Sequence, residues 1–125
     1  MRFQAQLRGF LKALALAVLV ACAAPAQAAG LEAEIQHLLD FIAASPCAFI
    51  RNGVAHDGKE AVGHIKDKYD YYRDDIHSPE DFIALAASKS VMTGKPYLVK
   101  CGDATEPAAD WLTRELDAFR HSSGS

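Results

Sequence analysis

Cys47 and Cys101 constrain this chain more than any other feature, because each sits at the end of a short apolar run with the composition of a β-strand. The first run, Cys47-Ala48-Phe49-Ile50-Arg51, is entered through Ser45-Pro46 and left through Asn52-Gly53. The second, Pro96-Tyr97-Leu98-Val99-Lys100-Cys101, lies between Gly94 and Gly102, and turn residues of this kind bound strands. Antiparallel pairing sets the first residue of one run beside the last of the other. Cys47 then meets Cys101, Phe49 meets Val99, and Arg51 lies opposite Tyr97, where its guanidinium could cover the ring. The expected product is a two-stranded antiparallel ribbon closed by one disulfide.

A disulfide needs an oxidising compartment, and the N-terminus supplies the route to one. Arg2, Arg8 and Lys12 precede an uncharged run from Ala13 to Ala21, the layout of a signal peptide and too short for a mature membrane span. Two exits compete. Ala26-Gln27-Ala28 is an A-x-A site that gives a signal peptide of residues 1–28 and a periplasmic or secreted protein. Leu19-Val20-Ala21-Cys22 instead resembles a lipobox, whose Cys22 would carry lipid and make the product a membrane-anchored lipoprotein.

Cutting after Ala28 leaves 97 of the 125 residues, enough for one small domain over residues 29–121 with a tail at 122–125. Losing Arg2, Arg8 and Lys12 moves the net charge from -3 to -6. A mildly acidic surface makes nucleic acid and anionic membrane poor partners. A small ligand or another envelope protein is the partner class that remains.

About four helices complete an α+β fold. Leu31, Ile35, Leu38, Leu39 and Ile42 recur at helical steps before Pro46, with His37 among the polar positions and read as solvated. Asp57-Gly58-Lys59-Glu60 has the outline of a capping box and launches a helix whose buried stripe is Ala61, Val62, Ile65, Tyr69, Tyr72 and Ile76. Ser78-Pro79-Glu80-Asp81 places Ser at an N-cap, Pro at N1 and an acid at N3. Thr105-Glu106-Pro107 reads as the start of the last helix, which carries Trp111, Leu112, Leu116 and Phe119.

Chemistry is thinly marked. Glu60, His64 and Lys68 share one helix face at i, i+4 spacing, which surface pairing alone explains. His56, Asp57, Glu60 and His64 gather near one helix N-terminus, but no H-E-x-x-H pattern accompanies them and no cofactor or metal is expected. Thr93-Gly94-Lys95 is not a phosphate loop, because its first Gly is missing and Pro96 follows. No G-x-S-x-G occurs, and Ser88 or Ser90 with His64 as base is not called for by any spacing.

Phe49-Ile50-Arg51-Asn52-Gly53, then Glu60-Ala61-Val62-Gly63-His64-Ile65-Lys66-Asp67-Lys68, then Phe82-Ile83, Gly94-Lys95-Pro96-Tyr97 and Trp111-Leu112-Thr113-Arg114-Glu115-Leu116 form an ordered set. In this set the chain resembles the YfeK-like family of small exported bacterial proteins of unknown function. Val91-Met92 interrupts a run that is Ser-rich in the pattern. The resemblance implies export and a single compact domain, and it supplies no reaction. The reading is therefore an envelope protein that binds without catalysing, its site lined by Arg51, Asn52, His64, Lys68, Lys95 and Tyr97. The alternative is a hydrolase or metal-dependent enzyme centred on His56, Glu60 and His64.

Overall fold

A computed structural model describes residues 30–123. The expected signal peptide, with its alternative processing sites at Ala28 and Cys22, and the last two residues lie outside that range.

The two cysteines are bonded, with their Cα atoms 4.6 Å apart. Strand β1 (Ala48–Arg51) runs antiparallel to β3 (Leu98–Cys101), with Phe49 opposite Val99 as the sequence requires. Each of these central strands also continues into a hairpin. Asn52 and Gly53 both have positive φ, 51° and 79°, as a two-residue type I′ turn demands, and lead into β2 (Val54–His56). Gly102, at φ 62°, opens a second two-residue turn, into β4 (Ala104–Pro107). The sheet is thus four strands in the order β2-β1-β3-β4, not a two-stranded ribbon. The outer strands escape sequence reading because most of their side chains are exposed and show no apolar alternation. Thr105-Glu106-Pro107, which resembles a helix start, pairs with β3 instead; Pro107 sits on an edge strand, where its missing N–H costs little.

Four helices share one hydrophobic core with this sheet. Helix α1 (Gly30–Ala44) buries Ile35, Leu38, Leu39 and Ile42. Helix α2 (Gly58–Tyr72) is capped by Asp57, whose Oδ1 accepts from the Glu60 backbone N–H at 2.8 Å. It ends earlier than its apolar stripe suggests: Arg73–Asp75 form a 3₁₀ turn, and Ile76 is buried from the segment beyond. Helix α3 (Pro79–Ala86) has the Ser78 cap and N1 proline that its sequence announces, with Asp81 N–H donating to Ser78 Oγ at 3.0 Å. Helix α4 (Ala108–Ser123) runs through His121 into the stretch read as a tail.

Phe82, Leu38, Ile42, Leu112, Leu116 and Val99 form the fully buried centre, where sheet and helices meet. Gly58 lets α2 start hard against the end of α1, since a Cβ there would lie 2.2 Å from the carbonyl oxygen of Ile42. His37 is not a free surface residue. Its Nε2 lies 2.8 Å from Glu115 Oε2, and its ring stacks on Phe119 at 4.0 Å, joining α1 to α4. Arg120 joins three helices by pairing with Glu34 and, at 2.6 Å, with Glu80. Among the described residues no helix is long and apolar enough to cross a membrane.

Candidate functional site

The β1–β2 hairpin, the polar face of α2 and the 88–96 connector converge at one end of the sheet. Asp57 fixes the start of α2, so its Glu60, His64 and Lys68 emerge one turn apart along the face beside the hairpin. They do not pair with each other. Each reaches a different neighbour, which is why a helix-surface account of this row fails.

Arg51 Nη1 lies 3.1 Å from His64 Nδ1. A guanidinium only donates, so Nδ1 accepts and the imidazole in this contact is neutral, with its proton on Nε2. His56, on β2, points its Nδ1 at Glu60 Oε2, 3.0 Å away, and because a carboxylate only accepts, that nitrogen carries a proton. The His56 and His64 rings meet edge to face, with centroids 5.3 Å apart. Glu60 thus turns to His56 and does not complete a capping box.

Lys68 takes the place over Tyr97 that register assigns to Arg51. Its Nζ lies 4.9 Å from the ring centroid and donates to the Lys89 carbonyl at 2.6 Å and to Tyr97 Oη at 3.2 Å. With two oxygens holding the ammonium there, the ring face is occupied and Arg51 turns to α2. Asn52 belongs to a separate cluster. Its Nδ2 donates to Ser90 Oγ at 3.2 Å, and its Oδ1 accepts from Thr93 Oγ1 at 2.6 Å, which ties the hairpin tip to the connector. Lys95 joins through its main chain, accepting from Ser90 N–H at 3.0 Å and donating to Thr93 Oγ1 at 3.2 Å, while its side chain is exposed. Of the six residues singled out by sequence, Arg51 and His64 form one contact, Lys68 and Tyr97 another, Asn52 holds the rim, and Lys95 is peripheral.

Sequence reasoning missed Ser90 and Thr93 as the rim's fasteners. Ser90, only 3% exposed, is the clue: a buried hydroxyl needs partners, and Asn52 supplies one. The same fastening displays Val54, Val91 and Met92 at 56%, 67% and 88% exposure, an apolar fringe around a charged mouth.

Beneath the Arg51–His64 contact is a cavity of about 30 Å³. Phe49, Ala61, Ile65, Ala87 and Leu112 are among its walls, whereas Arg51, His56, His64 and Tyr97 are its charged or titratable lining. A second, open depression of about 240 Å³ runs from Arg51 past Asn52 and Val54 to His56. Arg51 is also electrostatically distinct. Arg73, Arg114 and Arg120 each hold a carboxylate, but among the described residues Arg51 has only an imidazole as partner.

The nucleophile arrangement does not assemble: Ser88 Oγ donates to the Ile83 carbonyl at 2.7 Å, and Ser90 Oγ accepts from Asn52. Among the described residues no three His, Cys, Asp or Glu side chains are grouped so as to hold a metal. The shifted carboxylates lie elsewhere. Hydrogen bonding to Arg120 holds Glu80 below the ordinary carboxylate range, and Arg114 does the same for Glu106.

Residues 29–120 match the family described as "Family of unknown function (DUF5329)", and the chain belongs to it. Over 67 residues the chain is 43% identical to Uncharacterized protein YfeK of Salmonella typhimurium, which makes it YfeK-like. That match covers 53% of this chain and 56% of the relative, so it spans little more than half of either. No solved structure matches the chain.

Proposed function

We propose that this member of a family of unknown function is an exported envelope protein that binds a small anionic ligand, without catalysis, at the mouth formed by Arg51 and His64. One observation carries the reading: Arg51 keeps an uncompensated guanidinium at the opening of an apolar cavity, in a chain whose other described arginines all hold carboxylates. A chain with 16 acidic side chains has no shortage of internal partners. Leaving one donor fork without a carboxylate suits an anion from outside, since guanidinium and carboxylate or phosphate bond in bidentate fashion. Lys68, one turn along α2 from His64, adds positive potential, and Asn52, Ser90 and Thr93 hold the rim in place.

The test is a solution NMR titration of the oxidised mature domain with acetate and with inorganic phosphate at constant ionic strength. Saturable shifts at the Arg51 and His64 amides are expected, and they should vanish in Arg51→Gln while the protein stays folded and disulfide-bonded. Shifts that persist unchanged in the variant would reject the site. The alternative enzyme reading draws on the contact of His56 with Glu60 and on the His64 ring beside them. Zinc titration followed through the three side chains tests it, and broadening confined to other histidines would remove it.

A further inference from the structure

We infer that the ligand of this site is a monocarboxylate bearing a short apolar group, about two to three carbons in size, that fills the cavity beneath Arg51. The inference rests on the anion-binding reading and adds the chemistry of the part that is not charged.

Volume sets the size. About 30 Å³ is room for roughly two to three water-sized groups, whereas an aromatic ring or a long acyl chain needs several times more. The lining sets the polarity. A buried water needs two to four polar partners, and walls such as Phe49, Ile65, Ala87 and Leu112 offer none through their side chains. Methyl and methylene groups meet no such requirement and gain by leaving water. The mouth sets the charge. Arg51 gives one donor to His64, and its remaining donors have no protein acceptor among the described residues, so the fork is open to a carboxylate. Phosphate fits the fork equally well but wastes the cavity, because any oxygen turned toward Phe49 and Ile65 would be buried without a partner. A neutral apolar molecule would use the cavity and leave the guanidinium unanswered. Only a small molecule with one anionic end and one short apolar end satisfies both halves.

The experiment is a chain-length series on the wild-type, oxidised domain: acetate, propionate, butyrate, hexanoate and inorganic phosphate, each titrated by NMR at fixed pH and ionic strength. Affinity is expected to rise about fourfold for each methylene from acetate to butyrate, the increment for burying one CH₂, and to stop or reverse at hexanoate. Nuclear Overhauser contacts from the butyrate methyl to the Ile65 and Ala87 methyls should accompany the rise. An equal response to acetate and butyrate, or phosphate binding tighter than butyrate, would overturn the inference while leaving an anion site. The same series on Arg51→Gln is the control: a response there equal to that of the wild type would overturn the site as well, so the two failures read differently.

Discussion

Gly58→Ala is expected to destabilise the fold, although helix propensity alone predicts the opposite. In an exposed helix interior, replacing Gly by Ala stabilises by about 1 kcal/mol. At position 58 the added methyl would lie 2.2 Å from the Ile42 carbonyl oxygen and 3.1 Å from that of Ala43. A carbon and an oxygen need about 3.3 Å, so the first contact is short by roughly 1 Å, and both obstacles are main chain. Ile42 is fully buried, so α1 cannot yield there without disturbing the core. Overpacking of this kind costs about 1–3 kcal/mol, and with no flexible side chain to move aside the upper half applies. Subtracting the propensity gain leaves a net loss of about 1–2 kcal/mol, or a melting temperature lower by roughly 5–15 °C in a domain of this size. Gly63 provides the internal control, being on the same helix with open space around its Cα. Gly63→Ala should stabilise by about 0.5–1 kcal/mol. Urea unfolding of both variants, with the disulfide intact, measures the pair. A Gly58→Ala protein as stable as wild type would show that α2 does not start where this packing puts it. The same shift of α2 would carry His64 away from Arg51, so anion affinity should fall in Gly58→Ala and hold in Gly63→Ala.

Removing the bridge with Cys47→Ala and Cys101→Ala opens a loop of sequence separation 54, for which chain entropy predicts a loss of about 4 kcal/mol; non-reducing peptide mapping of the wild type should recover the linked pair, and two free thiols would refute it. Because hydrogen bonding to Arg120 lowers the Glu80 carboxyl from its ordinary value, the stability from that pair is present above about pH 4.5 and is lost as pH falls through the depressed folded value. Arg120→Met should therefore lower melting temperature near neutral pH and differ less from wild type in acid; a constant difference across that range would contradict the linkage. Globomycin should leave processing unchanged if cleavage follows Ala28, whereas precursor accumulation would select lipidation at Cys22.

The centre of the fold was legible because two constraints agreed there. Apolar runs located β1 and β3, and the cysteines fixed their register, so Phe49 opposite Val99 followed without any long-range information. Helix α1 and the Ser78-Pro79 start were equally plain, since periodicity and capping are local signals. The outer strands were not legible. Val54, Ala55 and Ala104 face solvent, and what makes them strands is the positive φ of the preceding turn together with hydrogen bonds to a neighbour. Treating Asn52-Gly53 as a full stop instead of a turn hid β2. At the site, helical spacing correctly drew Glu60, His64 and Lys68 to one face, but the partners of that face come from the hairpin and the connector. His37 failed for the same reason: its carboxylate partner, Glu115, is 78 residues away, a pairing that no local pattern records.

The covalent bridge also divides the polypeptide into a closed ring and two arms. Every residue assigned to the binding mouth, from Arg51 to Tyr97, falls between Cys47 and Cys101, whereas α1, β4 and α4 hang outside. A protease that nicks the exposed turn at Val91-Met92 would therefore release no fragment under oxidising conditions, and both halves would stay tethered through sulfur. By the same token, the proposed mouth lies inside the ring while the cavity beneath it borrows Leu112 from the C-terminal arm, so the two halves of the proposed site fall on opposite sides of the bridge.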